Sequence, residues 1–210
     1  MHMIRKRMKA ATRPKSRRMG PSGSANWHAM LDAAEDVLRE EGYGALTSRR
    51  VAERVGIKQR LVYYYFRTMD ELIVEMFRRL SVRELESLRV AASSQRPLTE
   101  IWQIGIHTND DSKIISEFMA LANHLPALRT EVITFIEEAR RIQVAALTAA
   151  LKKKGAQRYL PASALAIIAT SVALSLSREA ELGITAGHAT VMEVIRRHLR
   201  ELEHDVRRET

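Results

Sequence analysis

Residues 47–66, TSRRVAERVGIKQRLVYYYF, set two short helical periods on either side of one glycine, an arrangement few folds accommodate. Thr47 or Ser48 caps the first period, because a side-chain oxygen there accepts from one of the free N–H groups of a helix start. Val51, Ala52 and Val55 return at helical spacing and give it an apolar face. Gly56 follows, where a sharp turn needs a left-handed backbone that a Cβ would oppose. The second period begins near Lys58 and carries Leu61, Val62 and Phe66 inward, leaving Lys58, Gln59 and Arg60 at its exposed start. This is the pattern of a helix-turn-helix, whose second helix places its first residues against base edges in the major groove.

Charge separates the two sides of this module. Residues 47–67 hold six basic side chains (Arg49, Arg50, Arg54, Lys58, Arg60 and Arg67) and one acid, Glu53. Residues 25–46 hold five acids and only Arg39 as a base. A face of this kind suits double-stranded DNA, since Arg and Lys that neutralise phosphates release condensed counterions. The expected contacts are Thr47, Arg49, Lys58, Gln59, Arg60, Tyr63, Tyr64 and Arg67. Gln59 and Arg60 are expected to read bases, because Gln pairs bidentately with adenine and Arg with guanine; the others hold phosphates. Of the triplet Tyr63, Tyr64 and Tyr65, one or two face the backbone of the duplex and another packs inward.

The run Ala33, Leu38, Gly42, Tyr43, Thr47, Val51, Ala52, Gly56, Tyr63, Tyr64, Phe66, Glu71 and Leu72 resembles the amino-terminal DNA-binding domain of the TetR (tetracycline repressor) family over residues 27–73. Three positions depart from the family's habit. Lys58 stands where Ser, Thr or Ala is usual, Tyr65 where His is frequent, and Met69 where Lys is frequent. Lys58 adds a contact to phosphate or base, whereas Met69 removes a phosphate contact.

The remaining chain reads as almost entirely helical. Gly and Pro number 9 and 5 in 210 residues, β-branched alternation is nearly absent, and 46% of residues are hydrophobic, enough to bury a core. The fold class expected is all-α with about nine helices, divided into a basic arm (1–24), a helix-turn-helix domain (25–80) and a helical domain (81–210). With no cysteine, disulfide frameworks and thiolate chemistry are excluded, and a reducing cytoplasm is allowed. The net charge of +9 is concentrated in the arm, whose eight Lys and Arg meet no acid. Such an arm is either a solvated tail or a strand of cations that strengthens DNA binding, including in a neighbouring minor groove. Its composition is also that of a transit peptide, which a bacterial type of DNA-binding module behind it disfavours. Met8 and Met19 are alternative starts.

Along the chain, the first helix is expected from Ser24 or Asn26 to Gly42, burying Trp27, Met30, Leu31, Ala34, Val37 and Leu38. A fourth opens with Asp70 and Glu71, which suit the positive end of a helix dipole, and runs to about Val90. Helices follow from Leu98 to about His107 and from Ser112 to about Ala122. A long helix over 126–154 buries Leu128, Val132, Phe135, Ala139, Ile142, Ala146 and Ala149, with Lys152, Lys153 and Lys154 before the stop at Gly155. Residues 159–177 carry no charge. Length and polarity raise a membrane span, but Pro161, Ser163, Thr170, Ser171 and Ser175 and the predominance of Ala favour close helix packing over lipid. A last helix, from His188 to about Arg207, presents Val191, Ile195, Leu199, Leu202 and Val206 as one stripe.

The resemblance implies more than the residues show. It implies a homodimer joined by the last two helices in a four-helix bundle, with Ala166, Ala169, Thr170, Ala173, Ser177, Met192, Ile195, Arg196 and Leu199 at the interface. It implies a small-molecule pocket in the second domain, for which the candidates are Trp102, Ile106, His107, Phe118, Met119, Ala122, Phe135, Ala139, Gln143, Ser171 and Leu174. Their character points to a largely apolar effector. His124 beside the Pro126 break is a further polar candidate. His107, Asp110 and Asp111 match no closed metal-site spacing, and neither metal nor cofactor is expected. The chain has no phosphate-cradling glycine loop, no HExxH and no nucleophile elbow. The function expected is a ligand-responsive repressor that leaves a palindromic operator when its effector binds. The alternatives are an architectural DNA binder without a ligand and, further off, a helical enzyme.

Overall fold

The structure is a computed structural model and describes residues 20–107, 112–154 and 160–203. Among these residues every regular element is helical. α1 (Ala25–Glu41), α2 (Ser48–Val55) and α3 (Gln59–Tyr65) form the helix-turn-helix region, with a 3-10 turn at Tyr43–Ala45. α4 (Met69–Ala92) leads to α5 (Pro97–His107), α6 (Ser112–Leu121), α7 (Pro126–Lys154), α8 (Ala162–Glu181) and α9 (His188–Glu203).

The helix boundaries follow from side chains that satisfy the free N–H groups of each first turn. Ser24 Oγ accepts from the Trp27 amide, Thr47 Oγ1 from Arg50 and Thr68 Oγ1 from Glu71. The expected α1 start and the choice between Thr47 and Ser48 are settled by these bonds; Thr68 is a cap that sequence reading passed over. Gly42 and Gly56 end α1 and α2 with φ of 79° and 75°. α4 extends to Ala92, and α5 begins at Pro97. Residues 1–19 of the arm, with its eight Lys and Arg, and the end of the last helix, with Val206 and Arg207, lie outside the described residues, as do Asp110, Asp111 and Gly155.

One continuous core runs from α1 to α7. Met30, Leu31, Val37 and Leu38 of α1 meet Val51, Val62 and Phe66 from α2 and the end of α3, then Leu72, Met76 and Phe77 of α4. Ile114 and Phe118 of α6 and Leu128 and Val132 of α7 belong to the same cluster. Phe77 stands at its centre, with ring centroids 5.2 Å from Phe118 and 5.8 Å from Phe135, both edge to face.

Ion pairs fix α4 on both sides. Toward α1, Arg79 donates to the nearly buried Glu35 at 2.7 and 3.0 Å and pairs with Asp32 at 2.7 Å, while Arg83 reaches Glu35 at 3.3 Å. Toward α7, Arg78 meets Glu131 at 2.6 Å and Arg89 meets Glu138 at 3.1 Å. The arginines at Glu138, Arg141 foremost and then Arg89, hold its carboxyl at about 2.

α7 departs from its expected stripe near its end. Leu128, Val132 and Ile142 are buried as expected, but Ala149 is exposed and Leu151 takes the inward position. α8 is long and apolar enough to cross a membrane by length and composition. One of its faces is nevertheless covered by α5 and α7. α7 and α8 run antiparallel, as their short connection requires, and Thr170 Oγ1 donates to Gln143 Oε1 at 3.3 Å between them.

Candidate nucleic-acid interface and helical domain

All eight residues expected at DNA lie on the surface: Thr47, Arg49, Lys58, Gln59, Arg60, Tyr63, Tyr64 and Arg67. The short helix α3 sorts its side chains by angle. Gln59, Arg60, Tyr63 and Tyr64 share one arc, while Leu61, Val62 and Tyr65 occupy the other and pack on the core. Tyr65 is thus the inward member of the triplet, 8% exposed, against 47% for Tyr63 and 43% for Tyr64.

A hydrogen-bonded chain organises the outer arc. Gln59 Nε2 donates to Ser48 Oγ at 2.8 Å, and Ser48 Oγ donates to Tyr63 Oη at 3.0 Å. Ser48 is only 5% exposed, so it is a fixed point on α2 from which two α3 side chains are oriented. An amide nitrogen has two N–H groups. The bond to Ser48 uses one, which leaves the other and the carbonyl of Gln59 for a base.

Basic side chains fall into two sets. Arg50 donates to Glu41 at 2.9 Å, and Arg54 pairs with Glu41 at 2.7 Å and with Glu40. These bonds lower the carboxyls of Glu40, through Arg54, and of Glu41, through Arg50 and then Arg54. Arg50 and Arg54 therefore join α2 to the end of α1 and are largely neutralised. Arg49, paired among the described residues with Glu53 one turn along α2, remains 80% exposed at its side chain. Lys58 and Arg60 are exposed and form no ion pair among the described residues. Electrostatics thus leaves its unbalanced positive charge beside α3, where the sequence pattern expects it.

The basic arm joins this surface at its root. Gly20 N–H donates to the Tyr64 carbonyl at 2.9 Å, and a Cβ on Gly20 would stand 2.5 Å from the Tyr65 ring. Only glycine passes there without displacing the ring. The sequence reading missed this attachment, because nothing local to Gly20 announces a partner forty-odd residues away.

The candidates for a pocket divide into separate groups. Phe118 and Ala122 are buried in the core shared with α1 and α4, and Met119 and Phe135 pack against that core. Their position answers to packing between α4, α6 and α7. Trp102, 6% exposed, is buried outside that cluster, and Ile106, Ala139 and Gln143 are half-buried. Ser171 and Leu174 are on the outside of α8, Leu174 at 48% exposure, because α8 turns its opposite face to α5 and α7. The His107 side chain lies outside the described residues, and His124 is exposed. No group of metal-ligating side chains occurs among the described residues.

Trp102 Nε1 and Arg140 Nε are buried without a hydrogen-bond partner. A buried donor left unpaired costs about 1–3 kcal/mol. Sequence reading included Trp102 and set Arg140, with Glu137, Glu138 and Arg141, off the apolar stripe of the long helix.

The residues expected at an interface on α8 and α9 fall on different faces of their helices within the protomer. Ala166 and Ala173 are 1% and 4% exposed and are buried within the protomer, because small side chains let α8 approach α5 and α7. A Cβ on Gly105 of α5 would lie 3.4 Å from that of Ala173. Thr170 turns to Gln143. Outward on the same helix stand Ile167 and Ile168, each 50% exposed, with Ala169. In α9 no described residue is buried: Met192, Ile195 and Leu199 are half-buried, and Arg196 is exposed. Ser177 is half-buried.

Residues 30–76 match the family of bacterial regulatory proteins, tetR family. The chain is 25% identical over 144 residues to YdeS of Bacillus subtilis (strain 168), an uncharacterized HTH-type transcriptional regulator, covering 68% of this chain and 71% of that one. Its fold is similar to that of a TetR transcription regulator from Haloarcula marismortui, with a TM-score of 0.68 at 20% identity over 84% of this chain and 95% of the other. A protein from Saccharomonospora viridis solved in complex with choline gives 0.69 at 16% identity over 85% and 95%. FadR from Bacillus subtilis in complex with stearoyl-CoA gives 0.55 at 14% over 74% and 89%. The helix-turn-helix at residues 30–76 is thus that of bacterial regulatory proteins of the tetR family, and the chain as a whole is similar to DNA-binding transcriptional regulators.

Proposed function

We propose that the protein is a repressor which binds a palindromic operator as a homodimer and is released by a small, largely apolar effector. The observation that carries the DNA reading is the outer arc of α3, where exposed Gln59, Arg60, Tyr63 and Tyr64 are ordered by buried Ser48 and flanked by exposed Lys58 and Arg49. Arg60 and Gln59 read bases, and Thr47, Arg49, Lys58, Tyr63, Tyr64 and Arg67 hold phosphates. The arm, rooted by Gly20 on the end of α3, delivers its cations to the same duplex.

The dimer is supported by the apolar surface that one protomer leaves uncovered. Ile167, Ile168 and Leu174 of α8 and Val191 and Val194 of α9 are between 36% and 50% exposed. Interfaces joining permanent dimers resemble a core cut in two, and this surface has that composition. Ala169, Met192, Ile195, Arg196 and Leu199 extend it. A twofold axis there sets two copies of α3 about one helical turn of DNA apart, roughly 34–36 Å. The ligand-bound relatives, with choline and stearoyl-CoA, support an effector site in the helical domain. Function in the cytoplasm follows from this reading.

Selection of binding sites from random DNA tests it, with full-length protein and with protein lacking residues 1–24 at one fixed near-physiological salt concentration. Enrichment of a palindrome by both proteins is the expected result, with weaker binding after arm removal. Salt-sensitive binding without enrichment, abolished with the arm, would favour the architectural reading.

A further inference from the structure

The structure assigns to the helical domain an effector that is an apolar carboxylate, its oxygens accepting from Trp102 Nε1 and Arg140 Nε. This rests on the effector reading above and adds its chemistry. Both buried orphan groups are donors, and neither an indole N–H nor a guanidinium N–H can accept. What completes them must bring acceptors. Trp102 is 6% exposed, too deep to be served by bulk water. Arg140 makes no ion pair among the described residues, whereas its neighbour Arg141 is held by Glu138 at 2.7 Å. A guanidinium with no carboxylate partner among the described residues favours an anion over a neutral carbonyl.

The two donors come from helices that meet at one level. Gln143 of α7 bonds Thr170 of α8. Because these helices are antiparallel, the turn of α7 that holds Arg140 lies opposite the turn of α8 that holds Ala173. Ala173 in turn abuts Gly105, 3.4 Å from where its Cβ would be, and Gly105 lies one turn after Trp102 on the same side of α5. Gly105 and Ala173 are the small residues that let α5 and α8 close around this level. Half-buried Ile106 and Ala139 supply apolar surface on the flanking turns.

Full-length protein labelled with 15N-tryptophan carries two indoles, at Trp27 and Trp102, whose N–H signals are assigned with Trp27→Phe. Straight-chain saturated carboxylates from hexanoate to palmitate are titrated in, and so are the primary amines of the same chain lengths. At least one carboxylate is expected to move the Trp102 N–H signal downfield at saturation, as a new acceptor requires, and its amine counterpart to leave it in place. Arg140→Gln is expected to weaken that carboxylate by roughly ten- to hundredfold, the loss of one charge-assisted bond. Arg140→Lys, which keeps the charge, recovers part of it. Circular dichroism and operator binding without ligand confirm that each variant is folded. An unmoved Trp102 signal with every carboxylate would overturn the assignment. So would amines that match the carboxylates, or undiminished binding by folded Arg140→Gln. If the carboxylate binds at Trp102 while operator affinity is unchanged, the ligand class stands and the effector reading fails.

Discussion

At the scale of single residues, the helix-turn-helix is set by a few side chains with local tasks. Thr47 supplies the oxygen that starts α2, and Gly56 ends it at φ 75° and ψ 32°. Space around Gly56 is open, so the objection to any other residue is the backbone alone. Gly56→Ala is therefore expected to destabilise the folded protein by about 1–2 kcal/mol, the cost of left-handed backbone for an L-residue, measured by urea denaturation. An unchanged midpoint would mean that the turn relaxes to another conformation. Such residues were legible in sequence because their partners stand within four positions. Gly20 against Tyr65 and Ser48 between Gln59 and Tyr63 were not, since the contacts depend on how α2, α3 and the arm root are placed together.

Among the elements, α4 carries the connection between the reading head and the helical domain. Its inner link is Glu35, 7% exposed, with Arg79 and Arg83. Glu35→Ala leaves these cations without their principal partner. A loss of about 3–5 kcal/mol is expected on denaturation, as for a broken buried pair; a loss below ~1 kcal/mol would show that Asp32 replaces it. The outer link is Glu138 with Arg141 and Arg89. Its carboxyl is lowered from 4.5 to about 2, so the stabilisation is complete above 4.5 and is lost as pH falls toward 2. Melting temperatures of wild type and Glu138→Gln should differ at neutral pH and converge in acid. A constant gap would assign the effect to something other than this charge. α9 is joined to α5 in a comparable way: Glu203 accepts from the Leu98 and Thr99 amides at 2.6 and 3.0 Å. The links between helices span 44 to 105 positions and leave no periodic trace, which is why sequence placed the helices but not their junctions.

The whole molecule shows where pattern reading stops. Helix number, order and most boundaries were legible, because apolar spacing and caps act within a turn or two. The assignment of helix faces in the second domain was not. Ala166 and Ala173 look suited to a subunit interface for the same reason that they suit close packing inside the protomer, and only the position of α5 and α7 decides between these. Phe118 and Met119 look like pocket walls, yet α4 and α1 make them part of the shared core. The proposed dimer then depends on Ile167, Ile168, Val191 and their neighbours. Ile168→Glu is expected to shift sedimentation from dimer to monomer at micromolar concentration, while helical content is retained. A persisting dimer would move the interface elsewhere. The central claim, that two copies of α3 read a symmetric operator, is tested most directly by the affinity of wild type and Arg60→Ala for the selected palindrome and each of its single-base variants. The account predicts that Arg60→Ala costs about 1–3 kcal/mol and abolishes discrimination at one base pair and its symmetry mate. An equal loss on every sequence, including random DNA, would contradict it.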